Sequence, residues 1–109
     1  MNINESLKTT ITVAATTGSN TYSFDENSKR TRRLVQLSIK PASADTQYSI
    51  KFTDKFDIIT FEEWDVIGSY SNLDPHGLPQ FVYGNFTFTI FDSSNNEDFE
   101  VLMVFTEEV

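Results

Sequence analysis

The feature that most constrains this chain is an alternation of apolar and polar residues with a period of two, recurring along nearly its whole length. Successive side chains of a strand point to opposite faces, so such a pattern marks strands with one buried face. Helical spacing is scarcely present. The first run sets Leu7, Thr9, Ile11 and Val13 against Lys8, Thr10 and Thr12, and ends at the turn formers Thr17-Gly18-Ser19-Asn20. A short strand from Thr21 to Phe24 and a polar stretch to Arg32 follow. From Arg33 to Lys40, Val35, Leu37 and Ile39 share one face in this reading, against Leu34, Gln36 and Ser38, and Pro41 stops the run.

Tyr48, Ile50 and Phe52 alternate cleanly with Ser49, Lys51 and Thr53, and the run Phe56 to Phe61 reads as their hairpin partner, turned at Asp54-Lys55. The pattern then lapses from Glu62 to Pro79, which reads as one long loop containing Trp64. Alternation resumes with Phe86, Phe88 and Ile90, passes a polar hairpin tip from Asp92 to Asp98, and closes with Phe99, Val101, Met103 and Phe105. Seven or eight short strands separated by turn signals predict one all-β domain over residues 1–109, an antiparallel β-sandwich of jelly-roll or Ig-like type. Residues 1–14 fit an N-terminal edge strand or arm able to add to a neighbour's sheet.

A domain of 109 residues has a limited core, and ten Phe, four Tyr and one Trp supply it. There is no cysteine, which excludes disulfides, thiolate metal sites and cysteine nucleophiles, and fits folding in a reducing compartment. The start MNINESLKTTITV does not have the form of a signal peptide, and no apolar run nears the roughly 18 residues needed to span a bilayer, so a soluble chain is expected. Sixteen acids against eight bases give a net charge of −8, which disfavours nucleic acid as a partner; no membrane partner is expected either.

Candidate chemistry is sparse. His76 stands alone in the turn Asp74-Pro75-His76-Gly77, without partners for a metal site or a catalytic triad. Asp54, Asp57, Glu62, Glu63 and Asp65 cluster in sequence as glycosidase carboxylates would, but they flank a turn and a strand end, where solvation is the plainer reading. The oxygens of Asp92 to Asp98 suit a calcium ion in type, not in spacing. The expectation is therefore a protein without catalytic residues, cofactor or metal.

Charge and aromatic placement say more. Lys29, Arg30, Arg32 and Arg33 put four of the eight bases into five positions, a basic patch beside an acidic body that suits docking between subunits. Trp64 and Tyr70, with Val66, Ile67 and Leu73 nearby, are apolar groups in a predicted loop, where they either cover the core or meet a partner. These six residues, Lys29, Arg30, Arg32, Arg33, Trp64 and Tyr70, are the expected partner-binding set. Trp64, Tyr70 and Tyr83 as a sugar-stacking platform, with calcium in the Asp92 to Asp98 loop, is the alternative.

A Thr-rich first strand precedes Leu34-Val35-Gln36-Leu37-Ser38-Ile39-Lys40-Pro41 and then the segment Ser43 to Asp54. After these come an unpatterned stretch through Gly68 to Pro79, then Tyr83-Gly84-Asn85-Phe86-Thr87-Phe88-Thr89-Ile90, an acidic turn and the strand Phe99 to Phe105. In this arrangement, from about Leu7 onward, the chain resembles the small β-sandwich virion proteins of tailed bacteriophages. The resemblance implies a structural subunit made in the host cytoplasm and carried in the virion. Its expected roles are capsid decoration or cement, a head-fibre-associated part, or a neck or tail component, bound to virion proteins and to copies of itself. It carries over no particular binding residue.

Overall fold

The computed structural model describes residues 2–23, 32–74, 77–81 and 85–108. Its strands are β1 (Asn2–Thr12), β2 (Gly18–Ser23), β3 (Arg32–Pro41), β4 (Gln47–Asp54), β5 (Ile59–Ile67), β6 (Tyr70–Asn72), β7 (Gln80–Phe81), β8 (Asn85–Phe91) and β9 (Asp98–Glu108), and no helix occurs among the described residues. One sheet has the order β1-β9-β3-β6, with β7 also pairing β3, and the other has the order β2-β8-β4-β5. All pairings are antiparallel. Since β6 meets Leu37 to Ile39 and β7 meets Arg32 and Arg33, the two short strands are pieces of one edge, giving eight strand positions among the described residues. This order is that of a jelly roll, which separates the two sandwich types left open by the sequence.

Inward side chains from the two sheets interdigitate as one apolar core. Leu34, Leu37, Phe52, Phe88, Phe99 and Met103 have no measurable exposure. Aromatic rings carry much of the contact: Phe52 lies 4.8 Å from Phe88 and 5.8 Å from Phe86 between centroids, and Phe86 reaches across to Phe105 at 5.8 Å. Tyr48 meets Phe99 edge-on at 5.0 Å. The alternation in β1, β4, β8 and the inward row of β9 places these residues as the sequence predicts.

Three expectations are corrected. In β3 the inward residues are Leu34, Leu37 and Ile39, not Val35, because the register against β9 shifts between Leu34 and Gln36. One extra residue in a bulge reverses the parity of everything before it. Second, the pattern lapse after Phe61 is not one long loop, since β5 continues to Ile67 and β6 follows. Register shifts in β5 between its Ile59 and Phe61 pairings and between its Glu63 and Val66 pairings hide the period. Third, β8 and β9 are not a hairpin, for they belong to different sheets.

The segment between β8 and β9 is consequently no hairpin tip, though most of its side chains are exposed. It ties together the connections at one end of the sandwich. Glu97 O accepts from Val13 N at 3.0 Å, Ser94 N donates to Gln47 O at 2.8 Å, and Asp98 O accepts from Ala42 N at 3.2 Å. Asn95 Nδ2 donates to Thr46 Oγ1 at 2.9 Å, and Thr46 Oγ1 donates to the Glu97 carboxylate. These hydrogen bonds, with one from a Ser43 side chain and one from its backbone, hold the Glu97 carboxyl below its ordinary value. Gly68 completes the end: its N–H donates to Thr46 O at 2.9 Å and its carbonyl accepts the Tyr48 hydroxyl at 2.6 Å.

Candidate protein-binding surface

The sandwich consumes most of its large apolar side chains, so those it leaves outside are informative. Among the described residues six are exposed, and five of them, Phe56, Ile58, Ile59, Trp64 and Ile67, lie between positions 56 and 67. That segment is the turn between β4 and β5 together with β5 itself, the last strand of its sheet. The sixth is Leu73, just past β6.

The turn is built, not slack. Asp54 Oδ1 accepts from Phe56 N at 2.8 Å and from Ile58 N at 3.0 Å, and Asp54 N donates to Ile58 O at 3.0 Å. Asp57 takes the left-handed conformation at φ 63°, which an Asp side chain tolerates. A carboxylate that satisfies two turn N–H groups leaves the intervening side chains to project, and Phe56 is 72% exposed. Lys55 Nζ sits 5.3 Å from the Phe56 ring centroid.

Farther along β5, Asp65 stands at φ 57° in the second register shift, and its N–H donates to Ser49 Oγ at 3.1 Å. Trp64 shares the outer face with Glu62, its ring meeting Phe91 edge-on at 5.0 Å, and the shift brings Val66 inward against the core. Phe91 pairs with Ser49 in the neighbouring strand, so the two rings meet over that small residue and leave it 1% exposed. Lys51 Nζ lies 5.2 Å from the Phe91 centroid. Trp64 nonetheless remains 54% exposed. Phe91 belongs to the surface but went unnoticed in the sequence, because it reads as the end of an alternating strand. Only its register with Ser49 brings it under Trp64.

The other residues expected to bind partners are placed differently. Lys29 and Arg30 lie outside the described residues. Arg32 points inward, 7% exposed, with Nε donating to Glu5 Oε2 at 3.2 Å, so its charge is engaged within the fold. Arg33 is partly exposed and donates through Nη2 to Gln80 Oε1 at 3.2 Å. Tyr70 packs against the core, and burial raises its hydroxyl pKa, with the Glu63 charge adding to the rise and the hydrogen bond from Asn72 opposing it. Trp64 and Tyr70 sit on different sheets, Trp64 outward and Tyr70 against the interior, so they form no common platform; Tyr83 and His76 lie outside the described residues.

The outer face of the opposite sheet is shallowly concave. A concavity of about 330 Å³ is lined by Lys8, Ser38, Lys40, Tyr70, Glu100 and Leu102 among others, and Lys8, Lys40 and Glu100 recur in the adjoining hollows. Lys8, Lys40 and Glu100 border it, while most of the surface inside it is apolar. No cluster of three or more His, Asp or Glu side chains suited to a metal exists among the described residues. The Asp92 to Asp98 segment directs oxygens of Glu97 and Asp98 into hydrogen bonds with its neighbours.

No family model matches the chain, and no curated protein does. A solved structure does. One chain of the "Cyanophage Pam1 capsid asymmetric unit" superimposes with a TM-score of 0.56 at 9% identity, over 97% of this chain and 83% of that one. The likeness is one of fold: the eight-position sandwich is shared almost end to end, with scarcely any sequence in common.

Proposed function

We propose that this chain is a non-enzymatic structural subunit of a tailed-phage virion, of the capsid decoration or cement type, that works by binding neighbouring virion proteins. The observation that carries the reading is the near end-to-end likeness to a chain of a phage capsid structure. It extends over nearly the whole of this chain, so the shared part is the sandwich itself and not an appended module. The apolar strip at Phe56 to Ile67 gives such a subunit a surface to hold with, and the closely tied opposite end gives it a rigid body to hold by.

The test is composition of the particle. Particles of the phage that carries the gene, purified on a density gradient, are expected to contain the chain at a copy number that scales with the shell protein. A number matching neck or tail rings would reassign it to that part of the virion, and absence from intact particles would remove the reading.

A further inference from the structure

We infer that the strip from Phe56 to Ile67 is the docking surface of this chain and that its occupant is a basic-rimmed segment of a different virion protein, not a second copy. The identity of the occupant as a virion protein rests on the function proposed above; the location of the surface and the charge of its occupant rest on the strip itself.

Acidic side chains predominate among the apolar ones there, with Lys51 and Lys55 set against the Phe91 and Phe56 rings. Ile59, Trp64 and Ile67 offer apolar contact, while Glu62, Glu63 and Asp65 lie among them on the same strand. An anchor ring flanked by carboxylates fits a partner whose apolar contact is bordered by Lys or Arg, because interfaces place opposite potentials together. A second copy fits poorly. Two β5 edges paired antiparallel about Glu63 would set that carboxylate against itself, with Glu62 and Asp65 of both strands close by, and each subunit brings a net charge of −8. The two register shifts in β5 also break the straight row of backbone groups that strand-to-strand pairing of copies requires.

The experiment uses phage particles assembled without the chain and the purified full chain added back. Four versions are compared: wild type, Phe56→Ser with Ile58→Ser, Glu62→Gln with Glu63→Gln, and, on the opposite face, Lys8→Glu with Lys40→Glu. Each is first shown to keep the wild-type urea midpoint. The strip predicts that wild type binds and that the tip variant binds at least about tenfold more weakly, as loss of an anchor does. It predicts a smaller loss for the neutralised variant together with a flatter dependence on salt between about 0.05 and 0.3 M, and no change for the Lys8 and Lys40 variant.

Equal binding by wild type and tip variant sinks the strip and leaves the virion reading standing. Binding that is insensitive to salt, or strengthened by it, sinks the basic occupant. A wild-type dimer in sedimentation that the tip variant dissociates assigns the surface to a second copy and overturns the inference. Failure of wild type to bind any particle removes the virion reading and this inference with it.

Discussion

The two ends of the sandwich are built from the same connections between strands, yet they solve opposite problems. At one end Thr16, Ala42, Thr46, Gly68 and the segment Ser93 to Asp98 bond to one another across four connections, and the polar groups of each loop are satisfied by the next. At the other end the turn between β4 and β5 satisfies itself through Asp54 and presents Phe56 and Ile58 to solvent. Polar residues at a loop are thus no guide to exposure, and apolar ones no guide to burial. At the tied end the neighbouring connections supply those partners, an arrangement that topology controls.

If the tied end carries the stability, the glycine there that is both close-packed and left-handed should give the largest effect. Gly68 lies at φ +70° and a Cβ there would stand 2.6 Å from the Ala44 carbonyl oxygen, a backbone atom that cannot swing aside. Gly68→Ala is expected to destabilise by about 2 to 4 kcal/mol, from left-handed backbone strain plus displacement of the Ala44 strand connection. Equilibrium urea unfolding measures it; a loss below about 0.5 kcal/mol would mean that this end yields freely.

Next comes Tyr48, whose hydroxyl is held at Gly68 O and whose pKa burial drives upward. Tyr48→Phe keeps the ring against Phe99 and strands the Gly68 carbonyl. The expected loss is about 1 to 2 kcal/mol in the same assay. An unchanged midpoint would show water taking the vacated place.

Such a division of labour was partly legible in the chain. Period-two runs in β1, β4 and β8 place Ile11, Tyr48, Phe52 and Phe88 correctly, because nothing interrupts their pleat. Where a bulge intervenes the same rule misleads: Val35 takes the extra position and Leu34 goes to the core. A bulge is set by the partner strand and leaves no local signature here. Gly18 reads as a turn residue for a similar reason. It belongs to β2, and its lack of a side chain matters because a Cβ would come within 2.4 Å of Thr12 O. The surface was half legible: Trp64 stood out as an aromatic among acids, whereas Phe91 and the tip residues Phe56 and Ile58 looked like ordinary strand.

A smaller effect is expected at Glu97, where pH sharpens the contrast. Its carboxyl is held below the ordinary value of 4.5, chiefly by the Thr46 hydroxyl. A depressed carboxyl stabilises the fold fully above its unfolded value, and that contribution disappears as pH falls through the folded value. Glu97→Gln should therefore lower the melting temperature at pH 7, and the gap from wild type should narrow below about pH 4.5. A gap constant from pH 7 to pH 3 would show that the carboxylate charge contributes nothing there.

The smallest effect belongs to the other end, and its smallness is what gives it force. Phe56 is 72% exposed, so replacing it by Ser removes little buried area. The two N–H groups that Asp54 accepts are backbone groups and remain in place. Phe56→Ser should leave the urea midpoint within about 0.5 kcal/mol of wild type, as surface changes away from caps and cores do. That result would leave Phe56, exposed on a turn whose hydrogen bonds do not involve its side chain, available for a contact outside the fold. A loss above about 1 kcal/mol would return Phe56 to the core's account and leave the two ends less different than their hydrogen bonds make them.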